Sequence, residues 1–533
     1  MMKSNINKSR LWTTVLLSVL AIIFVSCSDD DSIVSEDLWN ISGNQIVSIK
    51  PERTKNLRNP MTGWVLYAGL GDGMTYDFWN KYDNFNSSVG KVKVSDYATT
   101  LYVRGAWSDF NPEKGVYVWQ KNCNTEAAKK FRMLEDGAKE RGLKLAFTFV
   151  VDSRDKHYNF TPDFVRDAGA KGFISTTGSV QVWSPYPDDP IFQQYYAAFL
   201  KDFAAEYDDP DKTMFVSGFG LGKWGETHSL IYSTGDETPK QAVFDWITNL
   251  MSGLFKSVPI VINYHRCLLS LNSFSNASTS EAEEMLRKAV DRGFSLRHDA
   301  FGMKSYYTTW ERNFAASMRY VRPIIMEGGW VESSHGSSIN GDGYANYAEV
   351  RQGEFDEGKG ACVNMMDLRY NSNFDAGETH SWFNSAYKLV EQFIAEGGYR
   401  LWPDKISVPT IASSNGEVSI THRWSNLGWG YCPTNIPQWN QKYKVAFALL
   451  DNSTLKPQYV FVDETPELSD WILNKPKTYN VKFGLNGVKA GDYTWAVGLV
   501  DSTKNNAIGI KIAAKDDQLT SEGWLKLAGI SVK

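Results

Sequence analysis

Residues 126–151 read EAAKKFRMLEDGAKERGLKLAFTFVV. The first part, Glu126–Arg141, is amphipathic and predicts a helix, and Gly142 marks its end. The second, Lys144–Val151, is a near-continuous apolar run, as expected of a parallel strand covered on both faces. The same pairing recurs along residues 60–400. The other candidate strands are Gly63–Ala68, Thr100–Ala106, Met214–Gly220, Ile260–Tyr264, Leu296–Phe301, Pro323–Glu327 and Ala361–Met366. Further helical stretches are Ile191–Tyr207, Thr238–Phe255, Ser280–Arg292, Thr309–Tyr320, Ala345–Gly358 and Ser381–Glu396. Eight strand–helix repeats predict an α/β fold, a (β/α)8 TIM barrel over residues 46–402. A doubly wound open sheet is the alternative, but no glycine-rich nucleotide turn follows the first strand.

Beyond Trp402-Pro403 the pattern changes to short alternating runs: Val418–Arg423, Lys444–Leu450, Thr478–Phe483, Tyr493–Leu499 and Ile508–Ile512. Turn clusters such as Asn415-Gly416 and Asn486-Gly487 separate them, and residues 406–533 are predicted to form a C-terminal β-sandwich.

The apolar share of 42% and charged share of 22% are those of a globular protein, and the length suits two domains. A net charge of −5 without basic clusters argues against nucleic acid as a partner. The 14% aromatic content, with 19 Trp, suits both a large core and a surface that stacks on sugar rings. Cys123, Cys267, Cys362 and Cys432 lack the spacing of a zinc or redox motif and are expected to be buried thiols. His228, His265 and His298 come from separate strand ends without a ligand motif, so no metal or other cofactor is expected.

The N-terminus is organised differently. Lys3, Lys8 and Arg10 precede an apolar-to-neutral stretch from Leu11 to Val25, too short for an ordinary spanning helix and suited to a signal peptide. Phe24-Val25-Ser26-Cys27 resembles a bacterial lipobox, which implies a signal peptide over residues 1–26 and a lipid on Cys27. Without the three signal-peptide cations the net charge becomes −8. Ser28-Asp29-Asp30-Asp31-Ser32 resembles the surface-export signal of Bacteroidetes lipoproteins, and residues 27–45 form a polar tether. The expectation is a lipid-anchored outer-membrane protein at the cell surface, with a glycan transporter as a candidate partner.

Barrel active sites lie at the C-terminal strand ends. Glu226, in Gly220-Leu-Gly-Lys-Trp-Gly-Glu-Thr-His228 beyond strand four, and Glu327, in Pro323-Ile-Ile-Met-Glu-Gly-Gly-Trp330 closing strand seven, pass that filter best. The plainer reading of Glu327 is an ion pair with a barrel arginine such as Arg104 or Arg369. Other strand-end residues would line a polar, sugar-binding mouth: Arg104, Asp152, His228, Tyr264, His265, Asp299, Tyr306, Asp367 and Arg369. Trp64, Trp107, Trp224 and Trp330 are candidate stacking platforms, and Asp299 and Glu332 are reserve acids.

With these residues in place the chain resembles the retaining glycoside hydrolases of clan A. There the acid/base ends strand four and the nucleophile ends strand seven. Trp107-Ser-Asp-Phe-Asn-Pro-Glu-Lys-Gly-Val-Tyr117 and Asn59-Pro-Met-Thr-Gly-Trp64 look like segments of β-galactosidase-like barrels of that clan. The whole chain is similar to Bacteroidetes barrel-plus-sandwich proteins of unknown function. The resemblance implies a carbohydrate substrate and double displacement: Glu327 as nucleophile, and Glu226, kept protonated, as acid then base. Arg104 would hydrogen-bond the nucleophile and keep it ionised. Gly225 departs from the clan, which usually has asparagine before the acid/base. A glycan-binding protein on a barrel without turnover, and a polysaccharide lyase, are the other readings.

Overall fold

The computed structural model describes residues 38–71, 74–271, 279–304, 306–329, 343–368 and 377–533. Eight parallel strands close into a barrel: Gly63–Leu70, Ala98–Ala106, Lys144–Val150, Thr213–Ser217, Ile260–Asn263, Phe294–Phe301, Ile324–Gly328 and Met365–Asp367. Met365 pairs with Gly63 to join strand eight to strand one. All eight runs read from the sequence are there.

The helices begin where local chemistry directs. Thr125 caps Glu126–Glu140 by accepting from the Ala128 amide. Asp189 accepts from the Ile191 and Phe192 amides ahead of Pro190–Tyr207, whose proline occupies the first turn. Thr308 and Glu311 form a capping box on Thr309–Met318. Ala128, Phe131, Leu134 and Ala138 recur at helical spacing on one buried face. The stretch read as one final helix is two, Gly377–Ser385 and Tyr387–Glu396, broken at Ala386.

Alternation along each strand divides its side chains between two cores. Leu66, Leu101, Phe147, Ile262 and Met326 face the helices. Val65, Tyr102, Ala146, Phe215, Val261, Ile325 and Met365 face the barrel axis and share a cluster with the sandwich residues Leu401, Ile406, Trp424 and Val445. The sandwich therefore closes the N-terminal end of the barrel. Buried Asn364, just before strand eight, ties them by donating to Met61 O (2.9 Å) and Tyr431 O (2.8 Å).

One sandwich sheet comprises Asn44–Ser48, Leu401–Pro409, Glu417–Asn426 and Lys477–Gly484. The other comprises Ile411–Ala412, Leu525–Val532, Gly491–Asp501, Tyr443–Asp451 and Pro457–Asp463, with Ala507–Ile510 on Gly491–Asp501. Two edges differ from the reading of 46–402 as barrel and 406–533 as sandwich. Asn44–Ser48 pairs antiparallel with Leu401–Pro409, so the chain enters through the sandwich. That second strand starts at Leu401 and accommodates Pro403 at a register shift, where a missing N–H costs no ladder bond.

Cys123, Cys267 and Cys432 are buried free thiols and Cys362 is half-buried. Among the described residues no helix is long and apolar enough to cross a membrane. Residues 1–37, with Cys27, lie outside them.

Because the two units share a core, they should unfold together. Asn364→Ala strips two buried carbonyls of their donor, at about 1–3 kcal/mol for each group left unsatisfied. Denaturant unfolding followed by tryptophan fluorescence and circular dichroism should show one transition at a lower midpoint. Two separate transitions in wild type would contradict this.

Candidate active site

Directly above the apolar layer, each strand contributes its next inward position. Tyr67, Arg104, Thr148, Ser217, Asn263, Arg297, Glu327 and Asp367 lie two residues beyond Val65, Tyr102, Ala146, Phe215, Val261, Ser295, Ile325 and Met365. This ring is polar and carries two arginines and two acids. Glu327 is 0% exposed and forms an ion pair with Arg297, whose guanidinium also lies 4.5 Å from the Tyr102 ring centroid. Burial alone would lower the Arg297 pKa, but Glu327 foremost, then Tyr102 and Asp367, raise it above its ordinary value. Asp367 accepts from the Gly328 amide at 2.9 Å.

Glu226 reaches the same ring from a loop. Strand four ends at Ser217, not Gly220, and the chain then turns through left-handed glycines. At Gly220 (φ +74°) a Cβ would collide with Phe149 O and stand 2.5 Å from the Tyr196 hydroxyl, so no other residue fits. Gly225 has φ +76°, and its Cβ would lie 3.2 Å from Val150 and 3.3 Å from Phe149 O. A side chain there would sit tightly against both. Trp224 (φ 58°), Thr227 (φ 65°) and Ser229 (φ 53°) are left-handed without being glycine, a concentration of strain typical of functional loops.

Arg104 fixes that loop. It donates to Trp224 O, to Glu226 Oε1 (3.2 Å) and to the Tyr67 hydroxyl (3.2 Å). Its direct carboxylate partner is thus Glu226, not Glu327 as expected; Arg297 takes that role. Burial would lower the Arg104 pKa, but Tyr67 and Glu226, then Tyr102 and Glu327, raise it well above its ordinary value. His228 Nε2 lies 3.5 Å from Glu226 Oε2. Burial alone would raise the Glu226 pKa, but the His228 hydrogen bond and the Arg104 charge hold it well below the ordinary carboxylate range. In this resting site Glu226 is therefore ionised, contrary to the expectation that its surroundings keep it protonated.

The rings of His228, His265 and His298 stand in a row with centroids 5.5 and 4.8 Å apart, and Trp224 lies 5.7 Å from His228. Burial, then neighbouring charges, pushes His265 well below its ordinary value, and burial lowers His298. Among the described residues no group of three or more His, Cys, Asp or Glu side chains could hold a metal ion.

Tyr306 belongs to the same mouth: burial raises its pKa, and the charges of Asp299 and Glu226 add to that. Trp224 is half-buried on the rim, with Lys223 Nζ 4.4 Å from its ring centroid. Other expected binding residues are structural. Trp107 is buried against Phe192, Tyr196 and Phe199, and Trp64 against Trp382 and Phe393, so neither can stack on a sugar. Tyr264 follows the outward parity of Ile260 and Ile262 and bonds Tyr307 (2.7 Å) outside the barrel. Asp152 grips Arg154 through both oxygens, and Arg154 in turn holds Ser229 O, bracing the Glu226 loop. Trp330, Glu332 and Arg369 lie outside the described residues.

Sequence reasoning passed over Arg297, Tyr67 and Asn263. The signal was parity: Arg297 sits two past Ser295 in a buried strand, whereas His298 and Asp299 drew attention. Beside the mouth, a cleft of about 560 Å³ runs between the loops after strands two and three, lined by Ser108, Asp109, Tyr158, Asn159, Asp163 and Gln181.

A (β/α)8 barrel with paired acids and arginines at its mouth is thus the class of molecule defined here. Solved structures to which the chain is similar include glycoside hydrolases. An endo-β-1,4-mannanase from Thermotoga petrophila is 10% identical, with 89% of this chain and 98% of that chain covered and a TM-score of 0.38. Endo-glycoceramidase II from Rhodococcus sp. is 9% identical (81% and 99% covered, TM-score 0.36), and a GH30 endoxylanase from Clostridium papyrosolvens 11% identical (82% and 95%, TM-score 0.34). No family model matches the chain, and no curated protein matches it.

Removing the Arg104 charge should expose the cost of a buried, uncompensated Glu226. Arg104→Met is expected to lose about 3–5 kcal/mol at pH 7. The depressed pKa of wild-type Glu226 adds stability above its unfolded value, and this is lost as pH falls through the folded one. In the variant burial raises that pKa, so acid relieves the penalty. The stability gap should therefore narrow from pH 7 to pH 4 in urea unfolding; a constant gap would contradict the pairing.

Proposed function

We propose that the chain is a retaining glycoside hydrolase, displayed at a bacterial cell surface by a lipid on Cys27. The observation that carries this reading is the pair of carboxylates from strand seven and the strand-four loop, each held by its own arginine at one barrel mouth. Glu327, paired with Arg297, attacks the anomeric carbon of a bound sugar as the glycosidic C–O bond breaks. Glu226, charged in the empty site, takes up a proton from water as the sugar binds and gives it to the leaving oxygen, with His228 beside it. Water then attacks the ester carbon of the sugar while Glu226 removes its proton, and Glu327 is freed.

Trp224 offers a ring at the rim, and Asp299, Tyr306 and Asp367 offer hydroxyl partners. The cleft after strands two and three gives room for further sugar units. Entry of the chain through Asn44–Ser48 of the sandwich supports outward display: the tether joins at the barrel end opposite the mouth. An outer-membrane glycan transporter remains the proposed partner.

A second reading, a surface glycan-binding protein without turnover, is favoured by the pull of His228 and Arg104 toward the charged form of Glu226. Sugar release from a glycan panel separates the two. Glu226→Ala should cut kcat by about 10²–10⁴-fold, and Glu327→Ala should reduce it to background while both variants keep the wild-type fold. Proton NMR of the first product should show the anomeric configuration of the substrate. Binding without any sugar release by wild type would establish the second reading, and full activity in Glu327→Ala would remove Glu327 from the reaction.

A further inference from the structure

Helix Tyr347–Gly360, which follows strand seven, approaches the barrel closely. A Cβ on Gly358 would stand 3.3 Å from Met326 Sδ, and one on Gly302 would stand 2.7 Å from Glu354 Cγ. Facing the barrel, this helix buries Arg351 and Glu354, and Gly377–Ser385 buries Glu378; all three are 0% exposed. Arg351 donates to Glu354 Oε2 (2.6 Å), Glu378 Oε2 (2.7 Å) and Ser381 Oγ (2.7 Å). The second oxygen of Glu354 accepts from the Gly329 amide at 2.6 Å, two residues beyond Glu327. With Asp367 holding the Gly328 amide, the turn that ends strand seven hangs on two carboxylates.

We propose that Glu354 is a positioning residue for Glu327, holding the Gly328–Gly329 turn through the Gly329 amide while Arg351 holds Glu354 in place. This rests on the reading of Glu327 as the reacting carboxylate. The anchor is sensitive to protons because two desolvated carboxylates share one guanidinium. Burial raises the Glu354 pKa and, against the opposing pull of Arg351 and the Gly329 amide, brings it to about 7. The charged groups around it are Arg351 and Glu357 on its own helix, Glu378 on the next helix, Asp367 on strand eight, and Arg312, which pairs with Glu357.

Two opposite pH dependences follow. An ionised acceptor binds an amide more strongly than a neutral one, so turnover rises as Glu354 ionises through about pH 7. A carboxyl whose folded pKa exceeds its unfolded value stabilises the fold at low pH, and that stability is lost as pH rises through the folded value. Wild type should thus gain kcat and lose thermal stability between pH 6 and pH 8.

The test uses wild type, Glu354→Gln, Glu354→Asp and Glu327→Ala. Glu354→Gln should lower kcat about 10- to 100-fold with KM little changed, flatten the kcat profile near pH 7 and abolish the fall in Tm between pH 6 and pH 8. Glu354→Asp should restore part of the pH slope. A Glu354→Gln enzyme with wild-type kcat and pH profile, or with the same fall in Tm, overturns the inference. If wild type releases no sugar, the hydrolase reading fails, and a crystal structure of Glu354→Gln decides the positioning role. A displaced Gly328–Gly329 turn and Glu327 carboxylate support it; an unmoved turn overturns it.

Discussion

A carboxylate moved from water into a protein interior without a counter-charge carries an idealised penalty of about 20 kcal/mol, more than the whole stability margin of an ordinary domain. Glu327 and Glu226 are buried carboxylates at the mouth of this barrel. Glu327 is tolerable because Arg297, one strand away, meets it inside the barrel, and Glu226 because Arg104 crosses from strand two to the loop after strand four. The arginines also do mechanical work. Arg104 spans Tyr67, Trp224 and Glu226, so a loop full of left-handed residues is held by the same charge that offsets its acid.

That polar ring needs a dry floor. The apolar layer beneath it, from Val65 to Met365, would face solvent at the open end of the barrel, and the sandwich covers it through Leu401, Ile406 and Trp424. The C-terminal domain is thereby part of the site's construction, since it keeps water from reaching the arginine–carboxylate pairs from below. Behind strand seven the Arg351 cluster does the corresponding job at the Gly328–Gly329 turn, so Glu327 is fixed from the barrel axis and from the helix layer at once.

The barrel was legible because parallel strands covered on both faces must be apolar throughout, and every such run from Gly63 to Met366 is a strand. The end of strand four was not, because Gly218-Phe219-Gly220 continues the apolar run while its glycines already turn the chain. Asn44–Ser48 carried no signal: it is short, polar and mostly exposed. At the site, Glu226 and Glu327 stood out as acids in glycine-rich, apolar surroundings. Strand parity separates Arg297 and Asn263 from the outward-facing Tyr264. It does not foresee the register shift between His298 and Phe301, where Ala300 turns left-handed beside Asp299. Trp107 was misjudged because position at a strand end does not tell which way a one-turn helix, Trp107–Phe110, will face.

The central claim is that Glu327, paired with Arg297, is the carboxylate that bonds to sugar. Incubation with activated 2-deoxy-2-fluoro glycosides, followed by proteolysis and mass spectrometry, tests it directly, because the fluorine slows breakdown of a glycosyl-enzyme ester. One adduct is expected, on the peptide containing Glu327 and absent from Glu327→Ala. An adduct on another carboxylate, or none from a preparation that releases sugar, would contradict it.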